Sequence, residues 1–248
     1  TNINFPEHST NGSSYSLHFV LGNRIIRKYN NSFKLFTYTT SWTDNENIDN
    51  NIDAINNFNA LDQCIMFKKE TLSNDYSDFI FVTSGYTGGN TKNRLVHFLK
   101  IGSLNTDKPV FSSEIRRDAA NSTDGTVDSN FGKDMVGHGR YIAIASKEDD
   151  DTVNSLSHAG RVYIYRDTSS NNDWSSTSLI TTLIGKAIND KFGEEMDINK
   201  DYIVIGGQAA IGGISRKTHI YKINYDGTNT TITNTRIING TNNKIALN

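Results

Sequence analysis

The chain has 248 residues and a single cysteine, Cys64. It can form no intrachain disulfide and no cysteine-based zinc site. Flanked by Ile65 and Phe67, Cys64 reads as a small apolar residue on an inward strand position. Prolines are scarce, with only Pro6 and Pro109. Basic residues are in no excess: 25 Lys and Arg stand against 27 Asp and Glu, for a net charge of −2. That argues against nucleic acid as the main partner, because counterion-release binding needs a concentrated basic surface. No apolar run approaches the ~18–20 residues of a membrane span, so no membrane insertion is expected of this segment. There is no signal-peptide pattern and no initiator Met, and the expectation is a chain processed or cut from something longer. Amphipathic helical spacing is missing as well; residues 53–61 alone admit a helical turn.

Catalytic and metal-binding patterns are equally sparse. The six histidines show no His-x-x-x-His spacing, and no Gly-x-Ser-x-Gly elbow occurs. Asp118, Asp124 and Asp128 frame one loop, but their spacing does not fit an EF-hand. No catalytic residue, cofactor or metal is nominated, and the chain is expected not to be an enzyme. Hydrophobic content of 35% and charged content of 21% permit a packed core without making it rich.

What the sequence does contain is a recurring strand pattern. Phe131-Gly132, then Arg140-Tyr141-Ile142-Ala143-Ile144-Ala145, then Arg161-Val162-Tyr163-Ile164-Tyr165 are followed by Phe192-Gly193, Asp201-Tyr202-Ile203-Val204-Ile205 and Thr218-His219-Ile220-Tyr221. Self-similarity at about 40–60 residues with four short strands per unit predicts an all-β propeller of four-stranded antiparallel blades. The predicted strands run 15–20, 24–29, 33–38 and a run after Trp42; 63–67, 78–83, 95–101 and 110–116; 132–136, 141–145, 161–165 and 174–184; and 193–198, 202–205, 217–223 and 230–238. The blades are then about 14–59, 60–130, 131–191 and 192–243. Residues 243–248 are expected to be the first strand of a fifth blade, either closing the ring or beginning the next unit of a longer propeller. Long links fall at 85–93, 147–160 and 208–216 between second and third strands, and at 49–60 and 117–130 between units. Asp226-Gly227 is a hairpin dipeptide. Trp42 and Trp174 are each expected to begin a fourth strand and pack on their own blade.

The Phe-Gly pair, first strand, tight turn, apolar second strand ending in small residues, aromatic third strand and Trp resemble FG-GAP repeats, the blades of integrin α-subunit β-propellers. They are also similar to repeat arrays in surface proteins of protists, algae and large viruses. The resemblance covers about 131–238; the first two units share strand order but lack Phe-Gly. It implies a Phe filling the space between blades beside a Gly that permits close backbone approach. The family's calcium loops are not carried over, because the first-to-second-strand turns here are short and lack the carboxylates.

The resemblance and the long loops imply a non-enzymatic recognition or adhesion module on a cell or virion surface, taking a protein or glycan ligand. The alternative is a structural component of a larger assembly, a fibre, filament or capsid decoration, with neighbouring subunits as partners. A third reading, a propeller hydrolase or lyase acting on polysaccharide, requires carboxylates or Tyr and His converging at the channel. If the topology is integrin-like, one face gathers Tyr86, Lys92, Glu148, Asp149, Asp150, Asp151, His158 and Arg216. The run at 148–151 suits a cation or basic partner, or a solvated loop. Five sequons, at Asn11, Asn30, Asn121, Asn229 and Asn239, are candidate glycosylation sites and hint at an extracellular location.

Overall fold

The computed structural model describes residues 18–21, 24–29, 32–38, 42–47, 58–69, 79–87, 94–100, 110–116, 130–207, 217–239 and 247. The strands are β1 (His18–Leu21), β2 (Arg24–Tyr29), β3 (Ser32–Tyr38), β4 (Trp42–Asn47), β5 (Phe58–Lys68), β6 (Phe79–Thr87), β7 (Arg94–Lys100), β8 (Val110–Arg116), β9 (Met135–His138), β10 (Tyr141–Ser146), β11 (Arg161–Asp167), β12 (Thr177–Ile184), β13 (Glu195–Ile198), β14 (Tyr202–Gly206), β15 (Lys217–Tyr225) and β16 (Thr230–Asn239). They make four four-stranded antiparallel sheets, each pairing four consecutive strands in order. The all-β class and the four-strand unit are thus as expected.

The second sheet stacks on the third and the third on the fourth, as propeller blades do. Period-two alternation splits the side chains between the two seams. On β10, Ile142 and Ile144 turn to the second sheet and join Ile80, Val82, Val96 and Phe98. Ala143 and Ala145 turn the other way, with Val162 and Ile164, toward Ile203, Ile205, Tyr221 and Ile223 of the fourth.

Each seam is closed by a Phe-Gly pair. Phe131 and Phe192 are both 1% exposed. Phe131 meets Tyr163 edge-on at 5.6 Å, and Phe192 meets His219 edge-on at 5.3 Å. The glycines have positive φ, +80° and +100°. A Cβ on Gly132 would stand 2.8 Å from Ser84 Cβ, and one on Gly193 would stand 2.8 Å from Ala145 Cβ. Small residues ending the second strand of one sheet therefore receive the Phe-Gly of the next. These turns displace the expected strand starts: Gly132 and Gly193 lie in turns, and β9 and β13 begin three and two residues later. Gly137 and His138, expected in a turn, belong to β9 instead.

The repeat extends to irregularities. Bulges between third and fourth strands fall at Phe98/Leu99, Ile164/Tyr165 and Ile220/Tyr221. Through their second-strand partners these are one position in three sheets. His97, Tyr163 and His219 likewise share one position, so the two histidines mark repeat register.

Trp174 differs from expectation. It lies in the 168–176 link before β12, at φ +58°, and is fully buried. Its ring stacks on Phe98 at 4.8 Å and meets Phe67 edge-on at 5.4 Å. It therefore packs on the preceding sheet, where two aromatic rings offer more contact than its own short strand. The same link is clamped by Lys100 Nζ to Asp173 Oδ2 at 2.7 Å, by Ser112 Oγ donating to the Asp173 carbonyl at 2.6 Å, and by Ser113 Oγ donating to the Trp174 carbonyl. Burial alone would raise the Asp173 carboxyl, but the Lys100 and Ser175 donors outweigh it and hold the group well below the carboxylate range.

Other differences are local. Phe58–Leu61 are strand, so the second sheet starts two residues before its expected boundary; residues 53–57 of the expected helical turn lie outside the described residues. So does the expected fifth-blade strand at 243–248, except Leu247, whose N–H donates to Asp197 on β13.

Deleting either plug should open a seam. Phe131→Ala and Phe192→Ala are each expected to destabilise the fold by about 3–5 kcal/mol, from lost burial plus a residual cavity. Unchanged denaturation midpoints for both would show that these rings do not hold the sheets.

Burial pushes His97 and His219 below the ordinary histidine pKa, against the opposing fields of Glu114 and Asp190 respectively. A histidine with a depressed folded-state pKa binds fewer protons folded than unfolded, so its contribution is present above about pH 6.5 and lost as pH falls below it. Stability is expected to decline from about pH 6.5 downward, with a shallower decline in His219→Gln. Midpoints with the same pH dependence in wild type and variant would refute this.

Candidate functional site

The second-to-third-strand link of the third sheet, residues 147–160, gathers five of the eight sequence candidates in one loop. Glu148 and Asp149 start it, and Asp150, Asp151 and His158 shape its middle. Tyr86 lies on β6 opposite Arg94, with its side chain outside the described atoms; Lys92 and Arg216 are outside the described residues.

Backbone bonds make this loop a small folded unit. Asp151 N–H donates to the Leu156 carbonyl at 2.8 Å and Leu156 N–H returns to Asp151 at 2.9 Å, closing a tip over 152–155. Asp149 N–H donates to Ser146 and Gly160 N–H to Asp149. The acidic side chains then serve the loop itself. Asp150 Oδ1 accepts the His158 N–H. Asp151 Oδ2 accepts Asn154 Nδ2 at 2.7 Å, a bond that holds its carboxyl below the ordinary range, and its own loop shields it from water. Tyr163 OH donates to Asp149 Oδ2 at 3.1 Å, and Arg161 Nη2 to the Asp150 carbonyl at 2.9 Å. Glu148 sits between Lys191 Nζ at 3.1 Å and His158 Nε2 at 3.8 Å.

The loop is also sewn to the 185–194 link that leads into the fourth sheet. Asn189, Lys191 and Phe192 N–H groups donate to the Ser157, His158 and Ala159 carbonyls, and Gly185 to Gly160. Gly160 takes φ +79°, and a Cβ there would lie 2.4 Å from the Phe192 backbone nitrogen. The Phe-Gly plug and the acidic loop are thus one structure. The run at 148–151 is therefore a hydrogen-bonded loop and not a loose solvated one. Among the described residues no group of three His, Cys, Asp or Glu is placed to hold a metal ion.

What the loop presents outward is its tip. Thr152, Val153, Asn154 and Ser155 are exposed, and Val153 is 87% exposed. Val153 is thus an apolar side chain held out on a hydrogen-bonded tip and flanked by small polar residues. No charge or motif flagged it.

Sequence reasoning also missed a groove at the opposite end, between the third and fourth sheets, lined by Arg140, Arg166, Lys200 and Tyr225 among others. The available signal was positional: Arg140 and Lys200 each stand in a first-to-second-strand turn just ahead of Tyr141 and Tyr202. Of the sequons, Asn229 and Asn239 are exposed, in the β15–β16 turn and at the end of β16; Asn11, Asn30 and Asn121 lie outside the described residues.

The tip depends on its internal bonds. Asp150→Ala should raise amide hydrogen exchange across 150–158 at least tenfold while leaving β10 and β11 protected, since local opening costs less than global unfolding. Unaltered exchange in the loop would mean that the carboxylate does not hold it.

No family model and no curated protein sequence matches the chain. Solved structures of Hsv2 from Kluyveromyces lactis, a β-propeller, are similar in general chain path. One aligns with a TM-score of 0.40 at 10% identity over 92% of this chain and 74% of that one. Another aligns with a TM-score of 0.38 at 12% identity over 95% and 75%. Likeness at this level carries no information on function.

Proposed function

We propose that this chain is four blades of an FG-GAP-like β-propeller and a non-enzymatic recognition or adhesion module of a cell or virion surface, which meets a protein or glycan partner through its loop end. The single observation that supports the reading most is the pre-ordered tip at 152–155. Ordering a loop on binding costs free energy for each immobilised side chain, and a tip already closed by the Asp151–Leu156 pair avoids much of that cost. Exposed Val153 offers an apolar contact, flanked by the polar side chains of Thr152, Asn154 and Ser155.

The supporting frame is rigid as well. The tip stands on β10 and β11, the two central strands of a sheet buried on both faces, and its base is fastened through the 185–194 link. Displacing the tip would disturb the Phe192 seam, so its position is fixed relative to two sheets.

The test is a binding screen of the full chain against glycan arrays and purified surface proteins, repeated with Val153→Asp. For an authentic partner, Val153→Asp is expected to weaken binding at least tenfold without moving the thermal midpoint, because Val153 touches little of its own chain. Partners that bind wild type and variant equally would place recognition elsewhere.

A further inference from the structure

The end of the third and fourth sheets opposite the loop tip carries a second, chemically different surface. The turns 139–140, 168–176 and 199–201 and the end of β15 bound an open groove of about 870 Å³. Its cations are placed by strand register. Arg166 follows Ile164 by two positions on β11 and so shares the face turned to the fourth sheet. Its guanidinium carbon lies 4.0 Å over the Tyr225 ring centroid, and its Nε is buried without an acceptor among the described residues. Arg140 Nη1 donates to the Ser169 carbonyl at 3.1 Å, which fixes the group while using one of its three nitrogens. Lys200 is exposed in the β13–β14 turn and makes no ion pair among the described residues.

Two carboxylates belong to the described lining. Asp167 is fully buried, and its Oδ1 accepts the Ser169 N–H at 2.8 Å. Asp201 is the other carboxylate of the lining. A smaller adjoining recess of about 250 Å³ shares Arg140, Tyr141 and Lys200 and adds Lys68, Lys69 and His138. Among the described residues the groove itself thus sets three cationic side chains, Arg140, Arg166 and Lys200, beside two carboxylates, with Lys68 and Lys69 in the adjoining recess. The rest of the lining is Thr168, Ser169, Ser170 and Asn224 together with Tyr141, Ile223 and Tyr225, the last half exposed at the rim.

We propose that this groove binds an acidic saccharide. A carboxylate or sulfate group lies on Arg140, Arg166 and Lys200, ring hydroxyls meet Thr168, Ser170 and Asn224, and a sugar face rests at the rim near Tyr225. Guanidinium groups match planar or tetrahedral oxyanions with paired N–H donors, and a groove of this volume holds a few sugar rings. An open, hydroxyl-lined groove suits a polyol better than an apolar ligand. The site stands at the other end of the strands from the Val153 tip and does not depend on it.

Calorimetric titration of the full chain at about 50 mM salt tests the proposal, since charge pairing is strongest at low ionic strength. The probes are a heparin-derived oligosaccharide, an oligogalacturonate, a maltooligosaccharide of equal length and sodium sulfate. At least one acidic oligosaccharide is expected to bind at least tenfold tighter than both the neutral sugar and free sulfate, and to weaken as salt rises. Lys200→Gln should weaken it about fivefold, the scale of one partly exposed charge contact. Arg166→Gln should weaken it more. Because Lys200 is solvent-exposed, its variant keeps the fold and keeps the test decisive even if the arginine variant is unstable. Val153→Asp should leave saccharide affinity unchanged, which separates this site from the tip. Equal binding of acidic and neutral sugars, sulfate matching the oligosaccharides, no binding by either acidic sugar, or wild-type affinity in Lys200→Gln would each overturn the proposal.

Discussion

An aromatic ring driven between two sheets beside a residue without a side chain is the contact on which the described structure rests. At Phe131-Gly132 and Phe192-Gly193 the ring removes apolar surface from water, and the glycine lets its backbone come within bonding distance of the strand end it meets. Ser84 Oγ on β6 donates to the Gly132 carbonyl at the first seam, and Phe192 N–H donates to the Ala159 carbonyl at 3.0 Å at the second. Neither half suffices alone. A ring without the close approach would leave a gap, and a close approach without the ring would bury backbone without apolar gain. A fully buried Phe contributes on the order of 1.5–3 kcal/mol, so two such plugs are a large share of the few kcal/mol by which a domain is stable.

That contact also decides where chemistry can be displayed. The sheets bury their inner strands at the seams, so display falls to the strand ends and to outer strands such as β16, which is exposed along most of its length. At one end the 147–160 loop is tied into the Phe192 plug and holds its tip out. At the other, short turns leave the cation-lined groove open. The acidic end is answered by its own loop bonds and by Lys191, whereas the groove at the other end sets Arg140, Arg166 and Lys200 beside Asp167 and Asp201. The two ends of one pair of sheets therefore offer unlike chemistries, one built around an exposed apolar residue and the other around cations.

Much of the fold was legible. Third-strand aromatics, the Phe-Gly spacing and small residues after the second strand marked the strands of the third and fourth sheets to within about three residues, because those features are local and periodic. The Trp174 contact was not, since which sheet a ring packs against depends on partners far along the chain, here Phe67 and Phe98. The acidic run at 148–151 was visible, but its role was not. A row of carboxylates looks the same in sequence whether it faces solvent or accepts Asn154, His158 and Tyr163. The groove went unread for a similar reason: Arg140, Arg166 and Lys200 are scattered in sequence and meet only when two sheets stack.

The backward reach of the 168–176 link has a consequence for how such a chain is put together. Trp174, Asp173 and their partners on β7 and β8 mean that the third sheet is finished on a surface supplied by the second. The second sheet is thus a template for the third, and the third in turn receives the Phe192 plug of the fourth. Loss of the fourth sheet would strip a neighbour from the third but leave Trp174 seated. Loss of the second would leave Trp174 and Phe131 facing water and Asp173 without its lysine. A protein emerging from its amino end meets these requirements in the order they arise, so synthesis and folding can advance together, one sheet at a time.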